Sequence, residues 1–284
     1  SRGESDKTEK EGMGCQMTAK ILNGKELASK LKAQLKREAA AAKKRYGRAP
    51  MLSVIQVGGS KPATIYIDSQ EKLAKELGIR YKRVSLCASV SQDEIISVIN
   101  KLNKDKATTA IMLGLPLPKT INLKQTIFYI DPAKNVERVN PTASAVMEII
   151  RSTGISLFGR EAVVVGHGEL VGKPIAMFLL DKLATVTVCH IGTATRGNLK
   201  EHIGRAEILV VAAGKPNLIK GDWIKKGAIV VDVGISKVGG KIVGDVEFDA
   251  AKKRAGFITP VPGGVGPLTV IMSMCNCLAL FKEQ

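Results

Sequence analysis

Gly166, Gly168 and Gly172 stand at the spacing G-x-G-x-x-x-G inside Glu161 to Pro174 (EAVVVGHGELVGKP), where a run of apolar β-formers breaks into glycines. Ala162 to Val165 read as a buried strand, the glycines as a tight turn, and Ile175 to Leu183 continue at helical spacing. The chemistry open to such a turn is anion binding. Unpaired N–H groups and the positive end of a helix dipole meet there, and a dinucleotide pyrophosphate suits them. The spacing is one residue longer than the usual dinucleotide fingerprint, and a strand-to-helix turn without a cofactor needs glycines too, so both readings stand. The next strand, Ala184 to Cys189, ends in Cys189-His190 with no Asp or Glu to hold an adenosine ribose, so the usual mark of NAD selectivity is missing.

Around that turn the chain alternates strand and helix. Asn23 is placed to cap an amphipathic helix in which Leu27, Leu31 and Leu35 recur at i+4, reaching about Tyr46. Met51 to Val57 reads as a strand closed by Gly58-Gly59, and Thr64 to Leu77 as a helix ended by Gly78. Tyr81 to Leu86 is a strand, Ser91 to Asn103 a helix and Thr109 to Leu113 a strand. The prolines of Leu115-Pro116-Leu117-Pro118 fix an extended loop, followed by Ile121 to Ile130. Thr142 to Thr153 is a helix able to bridge to a second lobe with strands at Ile208 to Ala212 and Ala228 to Val233; Trp223 between them reads as packing. The Pro- and Gly-rich loop Thr259 to Leu268 leads into a last helix, Thr269 to Phe281. This alternation predicts a mainly parallel α/β sheet with right-handed crossovers and ligands at the carboxyl ends of its strands.

With 284 residues, 45% of them hydrophobic, the chain can bury a core for two α/β lobes. No apolar run is read as reaching the roughly 20 residues needed to cross a bilayer, so a soluble protein without a membrane span is expected. The five cysteines are scattered, and the pair Cys275 and Cys277 lacks the further Cys or His spacing of a metal site or disulfide framework. A reducing compartment is expected, the cytoplasm or one such as the mitochondrial matrix, and no metal. The net charge of +17 attracts anions. Lys25 to Arg48 carry nine basic and two acidic side chains, whereas the first twenty residues carry four of each. Aromatic residues make up 4% and do not interleave with the basic ones, so a single-strand stacking platform is not indicated. A solvated helix face is the preferred reading of the charge, and contact with nucleic acid or a ribonucleoprotein the lesser one. Ser1 to Thr18, polar and without apolar periodicity, reads as a disordered tail.

Together TPVPGGVGPLT (Thr259 to Thr269), VVVGHGELVGKP, GDWIKKGAIVVDVGI (Gly221 to Ile235), VGDVEFD (Val243 to Asp249) and LPLP resemble the bifunctional methylenetetrahydrofolate dehydrogenase/methenyltetrahydrofolate cyclohydrolase family, over about Ile21 to Phe281. The resemblance implies two lobes with a folate cleft between them. A catalytic lobe over 19–141 precedes a Rossmann-like parallel-sheet lobe for NADP or NAD over 142–265, and a C-terminal helix over 266–284 returns to the first lobe. By the same resemblance the cofactor meets Gly166, His167, Gly168, Val171, Gly172, Pro174, His190, Thr193, Gly214, Gly234 and Ile235. The tetrahydrofolate derivative meets Tyr66, Leu115, Pro116, Glu137, Pro262, Gly263 and Gly264. A homodimer paired through the cofactor lobes is implied as well.

Several positions depart from the family pattern. Its serine, tyrosine and lysine on one helix are here Ala63, Tyr66 and Gln70. The lysine assists water attack on the methenyl cation; a glutamine hydrogen-bonds but does not titrate, which implies that cyclohydrolase activity is lost or severely impaired. The family glutamine before LPLP is Gly114. The loop K-D-V-D-G, whose second aspartate grips the pterin, is Lys134-Asn135-Val136-Glu137-Arg138, with Arg138 adding bulk where a special backbone conformation is expected. A further family segment between Asn140 and Pro141, ending in Cys-Thr-Pro, is absent. The family arginine and serine that hold the 2′-phosphate of NADP are His167 and Gly168, which do so weakly, so NAD and NADP stand level. A surface role for His167 and a strand-end backbone cap for His190 are the bland alternatives.

Two functions follow from the resemblance. Hydride transfer chiefly needs the nicotinamide held near the folate carbon, so an NAD(P)-dependent 5,10-methylenetetrahydrofolate dehydrogenase of one-carbon metabolism survives the loss of the lysine. The alternative is a catalytically inactive member, a pseudoenzyme serving as scaffold or regulatory subunit in a ribonucleoprotein or other multiprotein complex.

Overall fold

Two stretches of apolar β-formers, Met51–Val57 and Glu161–Val165, become interior strands of two parallel sheets. The computed structural model describes residues 18–284; the expected disordered tail and Cys15 lie outside that range, Thr18 apart. In chain order the first elements are β1 (Lys20–Ile21), α1 (Gly24–Tyr46), β2 (Met51–Val57), α2 (Lys61–Leu77), β3 (Arg80–Leu86), α3 (Gln92–Lys104), β4 (Ala110–Leu113), α4 (Leu123–Phe128) and α5 (Pro141–Arg151). There follow β5 (Glu161–Val165), α6 (Gly172–Asp181), β6 (Thr185–Cys189), α7 (Ile191–Thr195), α8 (Leu199–Arg205), β7 (Ile208–Val211) and β8 (Ile229–Asp232). The antiparallel hairpin β9 (Ser236–Val238) and β10 (Lys241–Val243), α9 (Phe248–Ala251), β11 (Phe257–Ile258) and α10 (Val265–Glu283) complete the chain.

The first sheet has the order β3-β2-β4, and β2 is buried along all seven residues, as a parallel strand covered by helices on both faces must be. Truncating its fully buried Ile55 to alanine would cost about 2–5 kcal/mol. The second sheet has the order β1-β11-β8-β7-β5-β6, with every neighbouring pair parallel. Thus the first strand of the chain, inside the region expected to form the first lobe, sits at the edge of the second sheet beside β11. The short strand β1 carries no run of apolar residues that could signal this in sequence.

Caps explain most boundaries. The Asn23 side chain accepts from the Lys25 and Glu26 amides at the start of α1, and Gly47 ends it in the left-handed conformation. Ser60 caps α2, so that helix begins at Lys61 rather than Thr64. Ser91 and Glu94 form a capping box on α3. The last helix starts at Val265, inside the expected loop, four residues before Thr269.

Helix α10 joins the two cores. Val265 and Leu268 pack into the core around β5, β7 and β8, whereas Met274, Cys277, Leu278 and Phe281 pack into the core around β2. At 19 residues and a mean hydropathy of 1.5 this helix is long and apolar enough to span a membrane by composition alone, which corrects the expectation that no such run exists. Half of it is buried inside the fold, as befits a core helix. The elements β1, β9, β10, β11, α7, α8 and α9 were not anticipated by hydrophobic periodicity, since each is short.

Candidate active site

Residues Cys189, Val165, Val211 and Asp232 align across neighbouring strands of the second sheet, so the turns that follow them open at one carboxyl edge. Gly166, His190, Ala212 to Gly214, and Val233 to Ile235 therefore stand side by side. Gly166 has φ +114°, and a Cβ there would lie 2.2 Å from the Ala212 oxygen; one on Gly172 would lie 2.0 Å from the Gly166 oxygen. These two glycines let the turn fold back on itself. Gly168 is different: a Cβ there meets nothing within 4 Å. Val171 precedes α6 without a side-chain cap, and Pro174 lies in the first turn, so backbone N–H groups remain for a ligand.

Asp245, from the VGDVEFD stretch, organises the next turn. Its Oδ2 accepts from the amides of Ala213 and Gly214, each at 2.7 Å, while its buried Oδ1 has no partner. A side chain at Gly234 would strike this carboxylate at 2.2 Å. Asp232 Oδ1 accepts from the Gly234 and Asp245 amides and Oδ2 from Val246; burial nevertheless pushes its carboxyl up to about 6. Both aspartates fix the glycine-lined edge.

At the outer end of this edge the rings of His167 and His190 face one another at 5.2 Å. His190 Nδ1 accepts from the Gly192 amide at 3.1 Å, and Thr193 Oγ1 accepts from the His190 amide at 3.2 Å. The strand-end cap is thus a role that His190 does fill, which leaves Nε2 to face outward. Ile235, 66% exposed, lies beyond β8 at the inner end.

In the first lobe Tyr66 and Gln70, one turn apart on α2, share a face. Gln70 is fully buried, and its Nε2 donates to the Tyr66 hydroxyl at 3.3 Å and to Met112 Sδ at 3.4 Å. Its Oε1 accepts from the Tyr81 hydroxyl at 3.3 Å. The Tyr66 hydroxyl also reaches Ser273 Oγ on α10 at 3.5 Å. Burial raises the phenols of both Tyr66 and Tyr81. A side chain at Gly114 would begin only 3.1 Å from the Ile55 oxygen and 3.3 Å from Ile67 Cδ1, so the position is packed as well as bare.

The Glu137 loop is pinned from several sides. Asn276 Nδ2 donates to the Val136 oxygen at 2.8 Å and the Val139 oxygen at 2.6 Å, and the Glu137 amide donates to Asn135 Oδ1 at 2.9 Å. Lys134 Nζ donates to the carbonyls of Leu102, Asn103 and Asp105 at the end of α3. Burial pushes the Glu137 carboxyl up to about 7, and its charge adds to the rise at Tyr66, which places the two groups near one another. Arg138 does not distort the loop: its φ is not positive, and its guanidinium pairs with Glu283 at 2.9 Å. The bulk expected to strain this turn points instead to the end of α10.

At the carboxyl edge of the second sheet a cavity of about 190 Å³ is lined by Lys25, Val233, Gly234, Ile235, Pro262 and Gly264, among others. From Val265 to Ser273, α10 rises about 12 Å from this cavity to the Tyr66 hydroxyl. Leu115 and Pro116 follow β4 at the carboxyl edge of the first sheet. A larger groove of about 660 Å³ lies elsewhere, between α5, α6 and the loop 155–158, at the amino ends of β5 and β6. Among the described residues no group of three or more His, Cys, Asp and Glu side chains is placed to hold a metal ion. Tyr81, Ser273, Asn276 and Asp245 are the site-forming residues that reading by position did not single out; of these only Asp245 lay in a motif.

A parallel α/β lobe with a glycine edge shaped by backbone contact, joined by a cleft to a second α/β lobe, defines a dinucleotide-dependent two-lobed protein. Residues 22–137 match the tetrahydrofolate dehydrogenase/cyclohydrolase catalytic domain and residues 140–284 the NAD(P)-binding domain of the same family. The chain belongs to the tetrahydrofolate dehydrogenase/cyclohydrolase family. It is 45% identical over 285 residues to the bifunctional protein FolD of Acetivibrio thermocellus, an alignment covering 94% of this chain and 99% of that one. The methylenetetrahydrofolate dehydrogenase-cyclohydrolase of Trypanosoma brucei, solved with NADP and an inhibitor, superposes with a TM-score of 0.89 at 39% identity, covering 94% of this chain and 98% of that one. The 5,10-methylenetetrahydrofolate dehydrogenase of the silkworm Bombyx mori does so at 0.87 and 36%, covering 94% and 99%. The cofactor class is NAD(P), and the tight Gly166–Gly172 turn and the open position at Gly168 fit it.

Proposed function

We propose that the protein is an NAD(P)-dependent 5,10-methylenetetrahydrofolate dehydrogenase whose cyclohydrolase step is lost or severely impaired. The observation that carries this reading is Gln70, fully buried and engaged by Tyr66, Tyr81 and Met112. An amide at that point neither takes nor gives a proton, so water attack on a methenyl carbon goes unassisted.

The rest of the site suits hydride transfer, which depends on position. When bound, the nicotinamide supplies the hydride acceptor. Gly166 to Gly172 hold its pyrophosphate through backbone amides, and Gly234, Ile235 and the Pro262–Gly264 loop flank the cleft. The Tyr66 ring stacks on the folate, and Glu137, ionised above about pH 7, accepts from pterin N–H donors. Leu115 and Pro116 wall the folate side, and the apolar Val233, Ile235 and Pro262 keep water from the cleft.

A homodimer is part of the proposal. Strand β6 is a sheet edge, and beside it Met177, Leu180 and Leu183 are 58%, 47% and 63% exposed. The described cysteines are all free, which suits a reducing compartment. The competing reading, an inactive scaffold, draws on the changes at Ala63, Gln70 and Gly114. Against it stands Gly168, where a side chain would meet open space, so that its absence keeps the turn clear for a ligand although the fold does not need it.

The test supplies 5,10-methylenetetrahydrofolate with NAD and with NADP, following reduced nicotinamide and methenyl absorbance separately. Reduction with accumulating methenyl product is expected. Folded protein that turns over neither cofactor would sink the dehydrogenase and leave the scaffold.

A further inference from the structure

The amino ends of β2, β3 and β4 lie together, Met51 beside Arg80 and Leu52 beside Ala110, on the side of the first lobe away from the cleft. Three chain segments converge there. Arg48 Nη1 donates to the Lys106 oxygen, and Arg80 Nη2 donates to the Ala49 and Ala107 oxygens, all at 3.4 Å. Arg45 lies against the Tyr46 ring and Arg48 against Phe281, which itself packs edge-on to Tyr46. Lys101 and Lys104 project from the last turns of α3 at the same end. Among the described residues none of these six cations has a carboxylate within 4.0 Å, although ion pairs are frequent elsewhere on the described surface. The carboxylate in their midst, Asp105, is occupied by the Ala107 amide and the Thr108 hydroxyl, both at 2.9 Å.

Tyr129 shares a groove with Lys101 and Lys104 of this strip, and Phe128 lies in the adjoining groove with Lys124. Phe128 is 87% exposed and Tyr129 46%, at the end of α4. Asn103, between Lys101 and Lys104, ties them in place: its Nδ2 donates to the Tyr129 oxygen at 2.8 Å and its Oδ1 accepts from the Asp131 amide at 3.1 Å. Open grooves flank Tyr129. One of about 400 Å³ has Asn100, Lys101 and Lys104 on its walls, with Asp93 as its acid; the other, of about 480 Å³, has Gln92, Lys124, Gln125 and Phe128. In sequence these aromatics stand apart from the basic run, and the fold sets Tyr129 beside Lys101 and Lys104.

We propose that this strip is a binding surface for single-stranded nucleic acid, RNA foremost. Phosphates follow Lys101, Lys104, Lys106, Arg48 and Arg80, and bases stack on Phe128 and Tyr129, the combination by which single strands are held without sequence readout. Unpaired cations supply the charge complementarity, and the groove amides of Asn100 and Gln125 suit base edges. An anionic membrane is the less fitting partner, because the two rings stand between grooves and form no continuous apolar face.

The experiment titrates a fluorescein-labelled oligouridylate of about 15 nucleotides with the full chain and reads anisotropy over a series of salt concentrations. The wild-type protein is expected to bind with a slope near −0.7 per phosphate contacted. The triple variant Lys101→Glu, Lys104→Glu, Lys106→Glu should bind at least about tenfold more weakly, with a slope shallower by about 2. Phe128→Ala should weaken binding about 5- to 100-fold with the slope unchanged. Neither variant touches the cleft, so dehydrogenase rates and thermal melts should match wild type. No binding, or binding that Phe128→Ala leaves intact, overturns the proposal. So does an equal loss when Lys225, Lys226 and Lys237 are reversed instead, which would make the effect one of net charge. Capture by phosphatidylserine vesicles without oligonucleotide binding would give the surface to a membrane.

Discussion

The Tyr81 hydroxyl donates to Gln70 Oε1 across 3.3 Å, and this bond turns the Gln70 amide nitrogen toward Tyr66 and Met112. A residue of β3 thereby decides which end of the Gln70 side chain faces Tyr66. Tyr81→Phe should leave a buried acceptor unsatisfied and lower stability by about 1–3 kcal/mol in urea unfolding. The dehydrogenase KM for folate should rise with it, because Tyr66 loses a fixed donor. Unchanged unfolding and unchanged KM would mean that the Tyr81 contact does not set the amide.

Replacing Gln70 by lysine tests the proposed loss of hydrolysis. A positioned acid or base is worth roughly 10²–10⁴-fold. Gln70→Lys should recover about tenfold in methenyl hydrolysis and no more, since Gly114 offers no side chain to orient the amine. The buried ammonium should also lower stability by about 2 kcal/mol or more. Methenyl decay measured directly on the variant decides the matter; no gain would move the defect to another residue.

In the proposed site Glu137 would couple stability to substrate binding. Its folded pKa of about 7 lies above the ordinary 4.5, so the unfolded chain binds fewer protons between those values. Stability therefore falls as pH rises from about 4.5 through 7, and the penalty is complete above 7. Glu137→Gln should be more stable than wild type by about 3 kcal/mol at pH 8 and indistinguishable near pH 4. If the carboxylate grips the pterin, the wild-type KM should climb as pH falls below 7, and the variant should show a high KM at every pH. Urea melts and initial rates over the same pH series measure both.

Much of the fold was legible because its signals are local. Met51–Val57 and Glu161–Val165 announce buried strands by composition, and Asn23, Ser91 and Gly78 act as caps through neighbours a turn away. What stayed hidden depends on distant partners. The strand β1 exists because β11 offers an open parallel edge more than two hundred residues later. Tyr81 matters only because β3 runs beside α2, and Asn276 because α10 returns to the Glu137 loop. The glycine at position 138 in the family pattern suggested strain for Arg138, but its actual φ and its partner Glu283 could not be read from one position.

The proposed homodimer would use the edge of the second sheet. Met177 and Leu180 on α6 and Leu183 after it leave an apolar surface beside β6. Met177→Glu combined with Leu183→Glu should convert a dimer to a monomer on a calibrated sizing column, with the Tyr66 and Gln70 site intact. Elution of the unmodified protein as a monomer would remove this edge as an interface.

Two glycines of one turn should behave in opposite ways. At Gly166 a methyl would lie 2.2 Å from the Ala212 oxygen on a backbone with φ +114°, so Gly166→Ala strains the strand-to-helix turn and should lower stability by about 3 kcal/mol or more. The thermal shift produced by either cofactor should vanish with it, since binding only to the native turn is what generates that shift. At Gly168 the same methyl meets open space and the φ is not positive, so Gly168→Ser should change stability by no more than about 0.5 kcal/mol. His167→Arg together with Gly168→Ser adds a cation and a hydroxyl where the His167 and His190 rings now face each other. A charge-assisted bond to a 2′-phosphate is worth about 1.5–3 kcal/mol, so the ratio of kcat/KM for NADP over NAD should rise at least about tenfold. Equal gains for the two cofactors would mean that this end of the turn does not meet the adenosine ribose.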